Sequence, residues 1–179
     1  MKVSEYLILF IIAYEQIHDG SLKMIGLQPK LDACGIWTEG YGHAMIINGK
    51  FARVEQYPTL ESILPHQTIH NIEDAKKVLR IDIIKFESTV NRNLTRKVTQ
   101  NQFDALVSFC FNCGFSKNLF KLVNQNTNQI AIKNFWINNY IKGNGKILLG
   151  LQYRRVDECE MYFNGDYKRD YKLSINLAA

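Results

Sequence analysis

An abrupt change of texture near residue 67 constrains the fold of this chain more than any other feature. Residues 16–67 hold six of the eleven glycines and all three prolines (Pro29, Pro58 and Pro65). Short β-rich pieces such as Gly35-Ile-Trp-Thr and Ala44-Met-Ile-Ile lie among them, and Asn48-Gly49 is a hairpin turn signal. From Ile69 onward the apolar residues recur at helical spacing instead. One β-rich segment followed by a run of helices is the pattern of an α+β protein. The expectation is a single domain over all 179 residues. Residues 1–15 form an N-terminal helix, 16–67 a small β lobe and 68–165 a larger helical lobe. Residues 166–179 make a polar tail that frays. Two such lobes leave a cleft between them, where ligand sites commonly lie.

Local signals place the helices. Val3 to Glu15 reads as a buried helix with Ser4 as its N-cap. Asn71 caps a helix running to about Asn91, with Glu73 and Asp74 in its first turn. Ala75, Val78, Leu79, Ile83 and Phe86 make that helix's buried stripe. Thr99 caps the next helix, with Phe103, Leu106, Val107 and Cys110 on one face and Gly114 closing it. Shorter helices follow near 116–125 and 128–140. A turn through Gly143–Gly145 leads to a last helix over about 151–163.

Composition narrows the class of function. Hydrophobic residues at 46% and charged residues at 22% exclude a disordered, collagen-like or coiled-coil chain. The net charge of +5 divides as −1 over residues 1–60 and +6 over 61–179. A basic second half points to an anionic partner: nucleic acid, a membrane surface or an acidic polymer. No nucleic-acid-binding motif is present, so nucleic acid is not expected as the partner. Of the four cysteines, Cys110 and Cys113 form a CxxC inside an apolar stretch, with no second ligand pair at zinc spacing. They read as core thiols, and no metal site is expected. The apolar run from Tyr6 to Tyr14 is too short to span a bilayer. Glu5 interrupts what would be the positive region of a signal peptide. Synthesis in a reducing cytoplasm is the resulting expectation.

The chemistry concentrates between Leu31 and His43. Asp32, Thr38 and the pair Gly40 and Gly42 fall within twelve residues there, and Glu15 stands upstream at the end of the first helix. Glycoside cleavage needs two carboxyl groups in different environments, one protonated to donate to the leaving oxygen and one ionised. Glu15 follows Ile11, Ile12 and Tyr14, an apolar setting suited to the acid. Asp32 lies in a polar, glycine-flanked loop suited to the ionised role. Thr38 is placed to orient a water, and the glycines let backbone approach a sugar ring.

The wording of three segments is more specific than their composition. Gly35-Ile-Trp-Thr-Glu-Gly-Tyr-Gly-His43 resembles the G-x-W-T-I-G-Y-G-H signature of the phage-type lysozymes, glycoside hydrolase family 24. Thr99-Gln-Asn-Gln-Phe-Asp-Ala-Leu-Val-Ser-Phe-Cys-Phe-Asn-Cys-Gly114 is similar to that family's T-Q-x-Q-F-D-A-L-V-S-F-x-F-N-x-G helix. Gly145-Lys-Ile-Leu-Leu-Gly-Leu-Gln-Tyr-Arg-Arg-Val-Asp-Glu158 is similar to its G-x-x-L-x-G-L-x-x-R-R-x-x-E segment. The three blocks stand in family order, the resemblance covering roughly residues 4–163.

The resemblance implies a lysozyme-like fold and a catalytic trio of Glu15, Asp32 and Thr38. It implies hydrolysis of the β-1,4 bond between N-acetylmuramic acid and N-acetylglucosamine in bacterial peptidoglycan, with no cofactor. Phe111 and Asn112 match family positions that line the cleft and are expected to contact the sugar, and Tyr41 and Gly42 are candidate sugar contacts on the β lobe. A monomer made in the bacterial cytoplasm and acting on the wall would need a separate, holin-like partner for release. The alternative is a catalytically impaired peptidoglycan-binding protein on the same fold.

Three departures from the family pattern bear on the site. Glu15 and Asp32 stand seventeen residues apart, several more than usual, the extra length falling in His18–Lys30. Gln16 replaces the glycine that normally follows the glutamate, and Asp19-Gly20 lies just beyond. Glu15 is preferred to Asp19 as the acid because it ends the helix. Glu39 stands where isoleucine is usual and is expected to add a third carboxylate near the site. His43 is expected to pair with an acidic residue and hold the β lobe, and Trp37 to pack. Tyr41 either packs or stacks on sugar. Arg154 and Arg155 either approach Glu15 or a wall carboxylate, or form a surface pair with Asp157 or Glu158.

Overall fold

A computed structural model describes residues 1–15, 27–32, 34–126, 128–143 and 145–171. In chain order its elements begin with α1 (Glu5–Tyr14), β1 (Lys30–Leu31), β2 (Trp37–Glu39), β3 (His43–Ala44), β4 (Ile46–Ile47) and β5 (Lys50–Phe51). Then come α2 (Leu60–Ile63), a 3₁₀ turn (Leu64–His66), α3 (Ile72–Asn93), α4 (Gln100–Cys113), α5 (Lys117–Gln125) and α6 (Gln129–Asn138). Two more strands, β6 (Lys142–Gly143) and β7 (Lys146–Ile147), precede α7 (Leu149–Asn164). The chain divides into two units, Glu15–Asp82 and Met1–Tyr14 with Ile83–Ala179.

In the first unit, β1, β2 and β3 form an antiparallel sheet in that order. The hairpin at Asn48-Gly49 joins β4 and β5, pairing Ile46 with Phe51 and Ile47 with Lys50. Asn48 and Gly49 both have positive φ, 52° and 75°, as a tight hairpin requires. A small core gathers Trp37, Met45, Ala52 and Ile63, and the Trp37 indole donates to the Tyr57 carbonyl at 2.8 Å. Trp37 therefore packs, as expected. The short helix α2 was not foreseen within the loop-rich segment. It begins in a reciprocal cap of Thr59 and Ser62, and Pro65 occupies the first turn of the 3₁₀ segment behind it.

In the second unit α4 is the central element. Every residue from Phe103 to Cys110 is buried, and α1 and α7 both pack against it. Its start is a capping box between Thr99 and Gln102, and Gly114 ends it at φ 77°. Ser116 and Asn128 cap α5 and α6 through hydroxyl and amide oxygens, and Gly165 closes α7 in the left-handed region. The Ser4 hydroxyl accepts from Leu7 N–H at the head of α1. That helix is not buried all round: Leu7, Ile8, Phe10 and Ile11 are covered, whereas Tyr6 and Leu9 are exposed.

Helix α3 runs from one unit into the other. Asn71 caps it by accepting from Asp74 N–H at 2.9 Å. Ala75, Leu79 and Ile83 are buried along its stripe, with Val78 and Phe86 half-buried. The tail does not fray over 166–171. Tyr167 donates to Asp104 at 2.7 Å, the Tyr171 amide donates to Asp157 at 2.8 Å, and the Tyr171 ring stacks on Tyr153 at 4.4 Å. Polar composition did not reveal these anchors because they come from two tyrosines, which reach two buried carboxylates and one aromatic ring.

Candidate active site

The β1–β2 pairing builds the first part of the site. Lys30 faces Thr38 and Leu31 faces Trp37, and the Asp32 amide donates to the Ile36 carbonyl at 2.8 Å. Side chains alternate across a strand and paired residues share a face, so Asp32 and Thr38 project from the same face of this hairpin. Asp32 is exposed and closes its own turn, Oδ1 accepting the N–H groups of Cys34 and Ile36 at 2.8 Å each. Thr38 is buried, and its hydroxyl donates to the Lys30 carbonyl at 3.1 Å. The hydroxyl hydrogen is thereby committed to the backbone, and the oxygen faces any further ligand as an acceptor.

The loop after β2 carries Gly40, Tyr41 and Gly42, its two glycines at positive φ for different reasons. Gly40 has φ 57°, and a Cβ there would meet Ile69 Cδ1 at 2.7 Å. Gly42 has φ 83° and is exposed, and a Cβ there would lie 3.8 Å from Glu15 Oε2. Glu15, one residue beyond the end of α1, is thus brought beside Gly42. Half-buried Tyr41 sits between the two glycines. Asp19 and residues 18–26 of the insertion lie outside the described residues.

Two anchors hold this loop, one on the middle of α3 and one on the segment just before that helix. His43 Nδ1 lies 2.8 Å from Asp82 Oδ2, the structural pairing expected of it. Glu39 corrects an expectation. Its carboxylate, 1% exposed, does not join the candidate site but accepts Thr68 N–H at 2.9 Å, Thr68 hydroxyl at 2.6 Å and Ile69 N–H at 3.0 Å. Strand alternation sends it to the face opposite Thr38. A glutamate in place of isoleucine reads as an extra site carboxylate, because the three donors that meet it lie about thirty residues downstream.

Phe111 and Asn112 lie in the other unit, at the end of α4. Phe111 is half-buried, edge-on to Phe86 at 5.4 Å, with the Arg154 guanidinium 5.9 Å from its ring centre. The Asn112 side-chain oxygen accepts from Arg155 Nη2 at 2.9 Å, and Arg155 also contacts the Cys113 sulfur. Arg154 and Arg155 are not the surface pair that sequence allowed. Both are buried and converge on buried Glu158, at 3.3 and 2.9 Å. The same carboxylate accepts the Ser108 hydroxyl at 2.7 Å and the Trp136 indole at 3.2 Å. Two guanidiniums and two neutral donors around one carboxylate satisfy it at a fully buried position, where a lone charge would be prohibitive. Glu158 is the organising residue, and it is buried where sequence reasoning allowed only a surface partner. Its spacing of three and four residues from the arginines is one that a solvated pair shares.

Three of the four thiols behave as core groups, whereas Cys34 is exposed. Burial pushes Cys110 and Cys159 up to about 12 and raises Cys113 as well. Among the described residues no group of three His, Cys, Asp or Glu side chains is arranged to hold a metal ion. No helix among them is long and apolar enough to cross a membrane.

A carboxylate at the end of the first helix, an aspartate and threonine on a small antiparallel hairpin, and a set of helices around one central helix define a lysozyme-like α+β protein. The model of the phage lysozyme family matches residues 23–158, and the chain belongs to that family. It is 34% identical over 136 residues to the endolysin of Bacillus phage PZA, covering 74% of this chain and 46% of that protein. The endolysin of Bacillus phage B103 is 31% identical over 172 residues, 94% of this chain and 56% of that protein. The chain therefore spans about half the length of these curated relatives. The endolysin from Escherichia coli O157:H7 phage FAHEc1 superposes with a TM-score of 0.69 at 27% identity, covering 94% of this chain and 97% of its own.

Proposed function

We propose that this chain is an endolysin-type muramidase that hydrolyses the β-1,4 bond between N-acetylmuramic acid and N-acetylglucosamine in bacterial peptidoglycan and so lyses the wall. The observation that carries this reading is the β1–β2 register, Lys30 opposite Thr38, which sets Asp32 and Thr38 on one hairpin face, with Glu15 beside Gly42 at the end of the adjoining loop. Glu15 is the general acid, giving its proton to the glycosidic oxygen as the bond to the sugar breaks. Asp32 takes a proton from the attacking water, its orientation set by the amides of Cys34 and Ile36 on Oδ1. Thr38 accepts the other hydrogen of that water, because its own is held by the Lys30 carbonyl. With both hydrogens engaged, the water's lone pair is directed at the anomeric carbon from the face opposite the leaving group. That geometry yields inversion. Gly42 carries a positive φ of 83° beside Glu15, a backbone conformation that a side chain would strain, and with Tyr41, Phe111 and Asn112 it is a further contact for the glycan.

The protein works as a monomer without a cofactor. It is made in the bacterial cytoplasm, reaches the wall through a separate holin-like partner, and engages peptidoglycan with its basic half. The decisive experiment follows the turbidity of purified walls with Glu15→Gln, alongside circular dichroism for folding. The variant is expected to fold while losing about 10²- to 10⁴-fold in lytic rate, the usual contribution of a positioned acid. Full lysis by Glu15→Gln together with inactivity of Asp19→Asn would move the acid to Asp19. Wall binding by the unmodified chain without any drop in turbidity would reduce it to a binding protein.

A further inference from the structure

Residues 105–156 contain no Asp or Glu, while seven Lys and Arg fall among them. Arg154 and Arg155 are spent on Glu158, but Lys117, Lys121, Lys142 and Lys146 are exposed. The stretch includes the β6–β7 hairpin and the start of α7, where three successive aliphatic side chains face solvent. Ile147 is 55% exposed, Leu148 45% and Leu149 61%. The strand register sets Lys142 opposite Ile147 and Gly143 opposite Lys146, so cationic and aliphatic side chains are interleaved on one small hairpin. Its shape is held from within. The Leu148 amide donates to the Ile141 carbonyl at 2.9 Å, and a Cβ on Gly143 would meet Leu148 Cδ1 at 2.6 Å. Leu148 therefore braces the hairpin and leaves Ile147 and Leu149 projecting. Both of these, like Lys146, occupy positions that the G-x-x-L-x-G-L pattern leaves open.

Exposed aliphatics ringed by cations mark a surface with a partner. We propose that the β6–β7 hairpin and the first turn of α7 dock on an anionic lipid bilayer. Ile147 and Leu149 enter the boundary between headgroups and acyl chains, and Lys142 and Lys146 meet the lipid phosphates. Charge complementarity alone would suit an acidic wall polymer equally well. Such a polymer gains nothing from exposed aliphatic side chains, whereas a bilayer does, and this favours lipid. The docking is independent of the hydrolytic reading.

The test is co-sedimentation of the full chain with vesicles of phosphatidylglycerol mixed with phosphatidylcholine, against vesicles of phosphatidylcholine alone. Binding is expected only where the anionic lipid is present, and it weakens as salt is added. Each lysine near an anionic surface is worth about a fivefold change in partitioning, so Lys142→Gln with Lys146→Gln is expected to weaken it roughly 25-fold. Ile147→Ser with Leu149→Ser is expected to weaken it at least about tenfold, with circular dichroism and thermal unfolding unchanged. Equal binding to neutral vesicles, no binding to anionic ones, or full binding by both double variants would overturn the proposal. So would lysine-dependent retention on a lipid-free phosphate polymer with no retention on vesicles.

Discussion

Replacing Asp157 by asparagine is expected to flatten the dependence of stability on pH between about 4 and 6. Asp157 is 1% exposed on α7. One carboxylate oxygen accepts the Tyr14 hydroxyl, and the other accepts the Tyr171 amide at 2.8 Å. Burial raises its pKa from 3.8 to about 6, against the lowering effect of these two donors and of Arg169. Burial and the neighbouring carboxylate also push the Tyr14 hydroxyl far upward, so it stays a donor throughout this range. The folded chain therefore holds the Asp157 proton to higher pH than the unfolded chain does. Between those two values the folded state binds more protons, so stability falls as pH rises. A shift of about two units at 1.36 kcal/mol each amounts to about 3 kcal/mol, lost by the time the pH exceeds 6.

Asparagine keeps the shape without the charge. Its oxygen can accept the Tyr171 amide while its NH₂ donates to the Tyr14 oxygen, a hydroxyl being able to reverse its role. Urea unfolding of both proteins in steps from pH 4 to 7.5 checks the reasoning, since every other carboxyl group titrates in both and cancels. The stability difference is expected to open with pH in favour of Asp157→Asn, reaching about 3 kcal/mol near neutrality. A difference that stays constant across the range would refute the argument, as would a wild-type protein that gains stability from pH 4 to 6 relative to the variant.

Substitutions at three further positions probe the candidate site and its supports. Thr38→Ser is expected to retain most lytic activity and Thr38→Val to lose about 10²-fold or more with folding intact, measured on purified walls. Glu39→Ile restores the residue of the family pattern but strands the Thr68 and Ile69 amides, and is expected to cost about 2–5 kcal/mol in urea unfolding. Gly40→Ala forces a Cβ within 2.7 Å of Ile69 Cδ1 at a positive φ, and is expected to lower stability by about 1–3 kcal/mol in thermal unfolding.

What could be read from sequence was what local chemistry decides. Asn48-Gly49, the caps at Asn71 and Thr99, and the closing Gly114 each act within a turn of the residues that name them. All four appear where expected. The short helix α2 escaped notice because its four residues are too few to show a period. Arg154, Arg155 and Glu158 were misread because charged residues three and four apart look the same on a solvated helix and in a core. Only tertiary burial separates the two, and here Ser108 and Trp136 supply the donors that make burial tolerable. The likeness of three segments to one family identified the candidate trio, whereas the hydrogen bonds that orient Asp32 and Thr38 became visible only in the structure.

Strand β2 shows how a departure from pattern can keep a candidate residue in place. Its three residues Trp37, Thr38 and Glu39 are all buried, which alternation alone does not produce in a strand with one covered face. Trp37 and Glu39 share a face. The first is gripped by Met45, Ala52 and Ile63, with its indole on the Tyr57 carbonyl, and the second by the Thr68–Ile69 backbone. With both flanking residues anchored on that face, the strand has little freedom to roll, and the intervening threonine is set on the other face beside the β1 backbone. An isoleucine at position 39 would hold the strand by packing; a glutamate holds it by three directional hydrogen bonds. The chemistry of the anchor changes, but its consequence for Thr38 and for Asp32 on the same hairpin face does not. The constraint at position 39 is therefore on burial and satisfaction rather than on apolarity, and a carboxylate that the sequence places near the site serves to orient its neighbour.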